Sequence, residues 1–217
     1  MAYPTVDKPY GLQPVNLIGG QVFAGSTRQM KIASGYAANI FYGDVVKLVS
    51  TGVIEKDTGT TTATPVGVFL GCQFTNPSTK QIQFQQYWPT GTVAADAVAF
   101  VLDDPDVLFK VAAVSSGTTV AFYGQTVIGT NVALVQNSGS TTTGDSAVAI
   151  DGSSAATTQS LPIRIVAGVP DTANASGNFC EFICKWNAPY LNVTTVEGAV
   201  TAVAIAGGHQ YLNPVGV

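Results

Sequence analysis

The chain says one thing twice. Phe41-Tyr42-Gly43 recurs as Phe122-Tyr123-Gly124, 81 residues further on. Pro65-Val66-Gly67-Val68 is answered by Pro162-Ile163-Arg164-Ile165 at an offset of 97, and Trp88 by Trp186 at 98. A chain made of two copies of one unit is confined to folds in which that unit buries its apolar face against itself or its twin. The growth in offset falls within residues 136–160, which are mostly Ser, Thr, Gly, Ala and Asp. That stretch reads as a loop inserted into the second copy.

The unit reads as β-structure. Residues 44–49 form a β-branched run that stops at Ser50-Thr51-Gly52 and resumes at Val53-Ile54, the pattern of a tight hairpin. Residues 66–74 read as a buried strand, and Asn76-Pro77-Ser78 as a turn. Across residues 80–88, Gln81, Gln83 and Gln85 alternate with Ile82, Phe84 and Gln86, which predicts a wet Gln face and a drier Ile/Phe face. The second copy repeats the scheme with strands expected at 125–128, 131–135, 147–150, 161–169 and 179–186. Residues 108–114 read as a further strand. Nothing sustains helical periodicity with caps, and Val107 to Ala113 is the best candidate for a single helical turn. The expectation is an all-β fold, a compact β-sandwich or β-barrel-like (β-tulip-like) body in two similar subdomains. Its predicted organisation is an extended N-terminal arm at 1–25, a first subdomain at 26–114 and a second at 115–190. A C-terminal tail follows at 191–217, with an edge strand expected at 194–201.

Charge narrows the function. Charged residues are 10% of the chain against about 25% in an ordinary soluble domain, and the net charge is −4. The polar surface must be Thr, Ser, Asn, Gln and Gly, which repels neighbouring copies weakly and suits dense packing. Arg28 and Lys31 are the nearest approach to a basic cluster, so no nucleic-acid partner is expected. No run reaches the ~20 apolar residues of a membrane helix, and no membrane partner is expected. Met1 to Pro14 lacks the basic and apolar regions of a secretory signal, so folding in a cytoplasm is expected.

Candidate chemistry is sparse. Cys180 and Cys184 lie four apart on a strand-like run, roughly 13 Å at ~3.3 Å per residue, too far for a disulfide, so buried free thiols are expected. Asp103, Asp104 and Asp106 read as a turn before and after Pro105 rather than as a calcium loop. Asp44 reads as a strand-start cap, since the second copy has Gln125 there. His209 reads as a surface or interface residue, without the nucleophile that a triad requires. Both tryptophans are expected to be buried or at subunit contacts. No catalytic residue, cofactor or metal site is expected.

The 1–25 segment carries Pro4, Pro9 and Pro14 among Tyr3, Tyr10, Leu12 and other apolar residues. It is poor in local structure and has two destinations, a partner's surface or its own domain.

Ile40-Phe41-Tyr42-Gly43-Asp44-Val45-Val46-Lys47-Leu48, followed by a Gly turn, a Thr-rich loop and Pro65-Val66-Gly67-Val68, resembles capsid decoration (cement) proteins of tailed bacteriophages. Asp7-Lys8-Pro9-Tyr10-Gly11-Leu12-Gln13-Pro14 is similar to the openings of marine phage structural proteins. The resemblance spans residues 7–114, and the second copy departs from it at Gln125. It implies a virion protein, synthesised in the host cytoplasm, that binds the major capsid protein on the outer capsid surface, as a homo-oligomer with a trimer favoured. It implies a mechanical role with no enzyme activity. Contact with the shell is then expected at Tyr3, Pro9, Tyr10, Leu12 and Pro14, with Arg28 and Lys31 meeting acidic groups. The alternative is a head-fibre, tail or adhesin domain that binds host-surface glycans through a shallow aromatic cluster.

Overall fold

The structure, a computed structural model, describes residues 5–172, 177–188 and 208–212, and residues 191–196 and 199–204 as backbone strands. Tyr3, among the expected contact residues, lies outside the described residues. In chain order the strands are β1 (Gln13–Leu17), β2 (Arg28–Lys31), β3 (Val45–Leu48), β4 (Ile54–Lys56), β5 (Gly67–Thr75), β6 (Ile82–Gln85) and β7 (Val98–Leu102). They continue as β8 (Val107–Val114), β9 (Asn131–Val135), β10 (Ala149–Ala156), β11 (Ile163–Gly168), β12 (Cys180–Trp186), β13 (Leu191–Val196) and β14 (Ala199–Ala204). The only helical segments among the described residues are single 3-10 turns at Gln125–Val127 and Gln210–Leu212.

The repeat is real at the level of topology. The first sheet runs β2-β7-β5-β3-β4, and its ends meet at one parallel bridge between Ile32 and Ile54. The second runs β8-β12-β11-β9-β10 and closes through a parallel β8–β10 ladder into a five-stranded barrel. Substituting β8, β9, β10, β11 and β12 for β2, β3, β4, β5 and β7 converts one cycle into the other, in the same chain order. Each Phe-Tyr-Gly precedes the second strand of its unit, and each Pro-led run opens the fourth. The tryptophans do not correspond: Trp186 ends β12, whereas Trp88 lies beyond β6 and bridges Ile40. β6 is an addition to the first unit, paired with the far end of β5.

Five features differ from the sequence reading. Strand pairing places the changeover between units at 103–106, because β8 belongs to the second barrel rather than to the first subdomain. Val107 to Ala113, the best helix candidate, is β8. Its unbroken apolar run reflects burial on both faces: Val107, Phe109, Val111 and Ala113 enter the main core, while Ala112 and Val114 enter a second cluster. Residues 125–128 contain a 3-10 turn, not a strand. The 136–160 insertion is loop only to 148; β10 follows as the counterpart of β4. The expected edge strand at 194–201 is instead divided between two strands that pair with each other, β13 and β14.

The two units share a core. The largest cluster combines Phe109, Leu134, Ile150, Ile163, Phe182 and Trp186 of the second barrel with Val45, Val68 and Leu102 of the first sheet. A second cluster around Ile40, Ile54, Phe69, Phe74 and Trp88 fills the first unit. Each tryptophan is buried, and each meets a phenylalanine edge-on: Phe74–Trp88 at 5.3 Å and Phe109–Trp186 at 5.1 Å between centroids. Such pairs contribute about 0.5–1.5 kcal/mol beyond their buried area.

Cys180 and Cys184 lie on the core side of β12, and Cys72 on β5; all three thiols are free and buried. Burial pushes the Cys72 thiol up to about 12 and raises the other two as well. Since the thiolate is the reactive form, an aromatic disulfide reagent at pH 8 is expected to label none of them in the folded protein and all three in urea. One equivalent of fast native labelling would contradict this burial.

Candidate functional site

The first Phe-Tyr-Gly is the crossing point of the molecule. Gly43 adopts φ +88° and Gly11 φ +81°, and a Cβ on Gly11 would sit 2.7 Å from the Gly43 carbonyl oxygen. Two glycines at this contact let the N-terminal segment lie directly on the β3 approach. Leu12 N–H donates to the Gly43 carbonyl at 3.0 Å, and Gly11 N–H to that of Val148 at 3.1 Å. On the other side, Tyr42 N–H donates to the Gly144 carbonyl at 3.0 Å and Ser146 N–H to the Tyr42 carbonyl at 2.9 Å. The inserted loop of the second copy therefore folds back onto the first. Gln86 Nε2 donates to Asp145 Oδ1 at 2.6 Å and adds a further tie.

Asp44 sits at the centre, fully buried. Its Oδ2 accepts from Phe41 N–H at 2.9 Å and from Lys56 Nζ at 2.8 Å, and its Oδ1 from the Ser146 hydroxyl at 2.6 Å. The cap expected from sequence is thus also an ion pair and a bond between units. Gln125 has no such role, and its Gly124 lies at φ −80°, outside the left-handed region.

Residues 9–14 of the N-terminal segment lie on the chain's own body, whereas Val15, Ile18 and Val22 are exposed. Pro9 is buried, and Leu12, 1% exposed, belongs to the shared core. Tyr10 packs with Val6 over Ala112, Val114 and Phe179 on the outside of the second barrel. Its hydroxyl donates to Glu181 Oε1, and burial together with that carboxylate raises its pKa. Lys110 completes the group, 3.3 Å from Glu181 and 5.5 Å from the Tyr10 ring centroid. Pro14 lies in β1 opposite Phe109. Contact with a partner, expected of Pro9, Tyr10, Leu12 and Pro14, is replaced by packing on the chain's own second barrel. Burying these apolar groups at home removes them from water without a partner.

Arg28 is exposed but engaged: its Nε lies 2.5 Å from Asp103 Oδ2, and its guanidinium 5.9 Å from the Tyr211 ring centroid. Asp104 Oδ1 accepts from Asp106 N–H at 2.9 Å, so the acidic run is a turn. Lys31 is exposed and forms no ion pair among the described residues.

His209 contradicts the surface reading. It is fully buried, its centroid 6.0 Å from that of Trp186 and 5.3 Å from that of Tyr211. Desolvation lowers its pKa to about 4. Its backbone neighbours stitch onto the first unit, with Gly208 N–H donating to Ala63 O at 3.2 Å and Gln210 N–H to Pro65 O at 2.7 Å. The Gln210 amide brackets Leu48, accepting from its N–H at 2.7 Å and donating to its carbonyl at 2.9 Å.

Exposed apolar side chains lie in several places, among them Val15, Ile18 and Val22 in and after β1, Phe122 before β9, and Ile82 and Phe84 on β6. Ile82 is 61% and Phe84 71% exposed, whereas Gln83 and Gln85 are half-buried, the reverse of the predicted faces. Gln83 Oε1 accepts from Asn76 Nδ2 at 3.2 Å and from Gln85 Nε2 at 3.4 Å. Beside Phe84, a cleft of about 520 Å³ is lined by Tyr42, Leu70, Gln86 and Phe100. A second, of about 470 Å³, is lined by Phe74, Asn76, Pro77, Gln83 and Val93. Neither lining includes a charged side chain.

No family model, curated protein or solved structure matches this chain.

Among the described residues no group of three His, Cys, Asp or Glu gathers as a metal-ligand set. The face around β6 offers apolar contact and neutral amides. Such a surface can dock onto another surface; it presents no aligned nucleophile and base.

Proposed function

We propose that this chain is a structural virion protein that binds the outer surface of a tailed-phage capsid and stabilises the shell. The observation that carries this reading is the exposed apolar pair Ile82 and Phe84, beside two clefts whose linings carry no charged side chain. Apolar residues exposed together mark interaction surfaces. The two strands behind the resemblance to decoration proteins also agree with it: β3 and β5 are direct neighbours, with Val45 opposite Val68. Many weak contacts of this kind, repeated over a symmetric lattice and joined within a homo-oligomer, hold firmly by multivalency. The role is mechanical, and the major capsid protein is the partner.

A second reading, a head-fibre, tail or adhesin domain for host glycans, draws on the cleft between Tyr42, Phe84 and Phe100, where aromatic rings lie beside Gln86. Against it, both tryptophans are buried.

Co-sedimentation with expanded, undecorated phage heads separates the two. Saturable binding at a fixed ratio to the shell subunit, weakened by Phe84→Lys, is the expected result. No binding to heads, together with retention on immobilised polysaccharide that Phe84→Lys abolishes, would transfer the protein to the second reading.

A further inference from the structure

The second unit closes as a barrel and the first meets end to end at one bridge, and such closure removes open strand edges. Besides β1, which pairs with β8 alone apart from the Asn16–Val22 bridge, two elements escape it. β6 pairs with β5 on one side, and no strand pairs with its other edge among the described residues. Among the described residues the β13–β14 ladder pairs only within itself, in register from Leu191↔Ala204 to Val196↔Ala199. Its two feet are fixed: His209 N–H donates to the Asn187 carbonyl at 3.2 Å, and Asn187 and His209 are both buried. Asn187 and His209 thus meet at one point of the body.

A lone two-stranded hairpin is marginal in water and needs a third strand or a covering surface. The register sets Leu191, Val193 and Thr195 opposite Ala204, Ala202 and Val200. Glu197 is the only charged residue in 188–207, and β6, Ile-Gln-Phe-Gln, has none. We propose that the β13–β14 hairpin of one copy adds to the open edge of β6 in a second copy, covering Ile82 and Phe84.

A second copy is the occupant that the two elements select together. Donor and acceptor are both uncharged and rich in strand-forming residues, and each chain carries one of each. Backbone pairing supplies the affinity of strand addition, and alternate side chains supply its register. The interface is head-to-tail, because the hairpin and β6 are different patches. Such interfaces close into rings or run on as filaments. A closed ring leaves no β6 edge open. The inference concerns how copies join one another and holds whether or not they sit on a shell.

The test uses the full chain in free solution. Light scattering is expected to give a whole multiple of 22.3 kDa for the natural sequence. Replacing residues 189–206 by a short Gly/Ser linker, which keeps Asn187 and His209, is expected to give 22.3 kDa, and so is Phe84→Lys. Circular dichroism and urea midpoints report whether each variant stays folded. Independently, copies carrying only Thr194→Cys are mixed with differently tagged copies carrying only Gln81→Cys; the natural cysteines are buried. A disulfide between the two populations is expected, and Phe84→Lys in the acceptor suppresses it. A one-chain mass at every concentration, an unchanged multiple in the linker variant, or no mixed disulfide overturns the proposal. Head binding by the linker variant would leave the decoration reading standing without it.

Discussion

Asp44→Ala is expected to lower the unfolding free energy by about 3–5 kcal/mol, the range for removing one partner of a buried ion pair. The carboxylate is fully buried and accepts three bonds at 2.6–2.9 Å, from Lys56, the Ser146 hydroxyl and the Phe41 N–H. Its loss strands an ammonium whose side chain is 13% exposed and two further donors. Lys56→Met is expected to cost a similar amount, because the carboxylate then stays buried without its cation. Asp44→Asn with Lys56→Met removes both charges and is expected to recover much of the loss, since an apolar or neutral replacement of a whole buried pair is often tolerated. Urea unfolding of the four proteins gives the coupling energy directly. Independent, additive effects of the two single changes would show that the pair is not the unit holding β3, β4 and the inserted loop together.

That junction shows what sequence can and cannot convey. The Phe-Tyr-Gly repeat and the Pro-led runs mark equivalent strands because each is local: a turn into a strand and a buried strand start. The β3–β4 hairpin and the turn at Asn76, whose side chain accepts from Ser78 N–H at 2.9 Å, are local as well. Long-range partners leave no such mark. Nothing around Asp44 announces Ser146, 102 residues away. β8 reads ambiguously because burial on both faces erases alternation. β6 inverts because it lies off the barrel path. Trp88 and Phe74 already fill the interior there, while Gln83 and Gln85 join Asn76 in a chain of amides, leaving Ile82 and Phe84 outside. The N-terminal segment has equal appetite for a partner or its own body. The left-handed glycines at 11 and 43, which allow the close crossing, decide for the body.

Acid is expected to destabilise the protein through His209. In the unfolded chain the imidazole takes its proton near 6.5; in the fold, burial lowers this to about 4, opposed by a backbone hydrogen bond at Val66 and by Asp103 and Asp104. Between these values the unfolded chain binds more protons than the folded one. Stability from this group is therefore complete above 6.5 and falls as pH drops toward 4. The gap corresponds to about 3 kcal/mol at 1.36 kcal/mol per pH unit. His209→Phe keeps an aromatic ring in the site and cannot titrate. Urea unfolding at intervals from pH 7.5 to 4 is expected to show the natural protein losing about 3 kcal/mol more than this variant, the carboxylates being common to both. Parallel curves would mean that His209 is protonated without leaving its site. Protonation also acts on the feet of the hairpin, because His209 N–H holds Asn187 while Gly208 and Gln210 hold residues 63 and 65. Loss of chain-to-chain pairing is then expected in the same acid window, ahead of global unfolding, and light scattering across that window would reveal it.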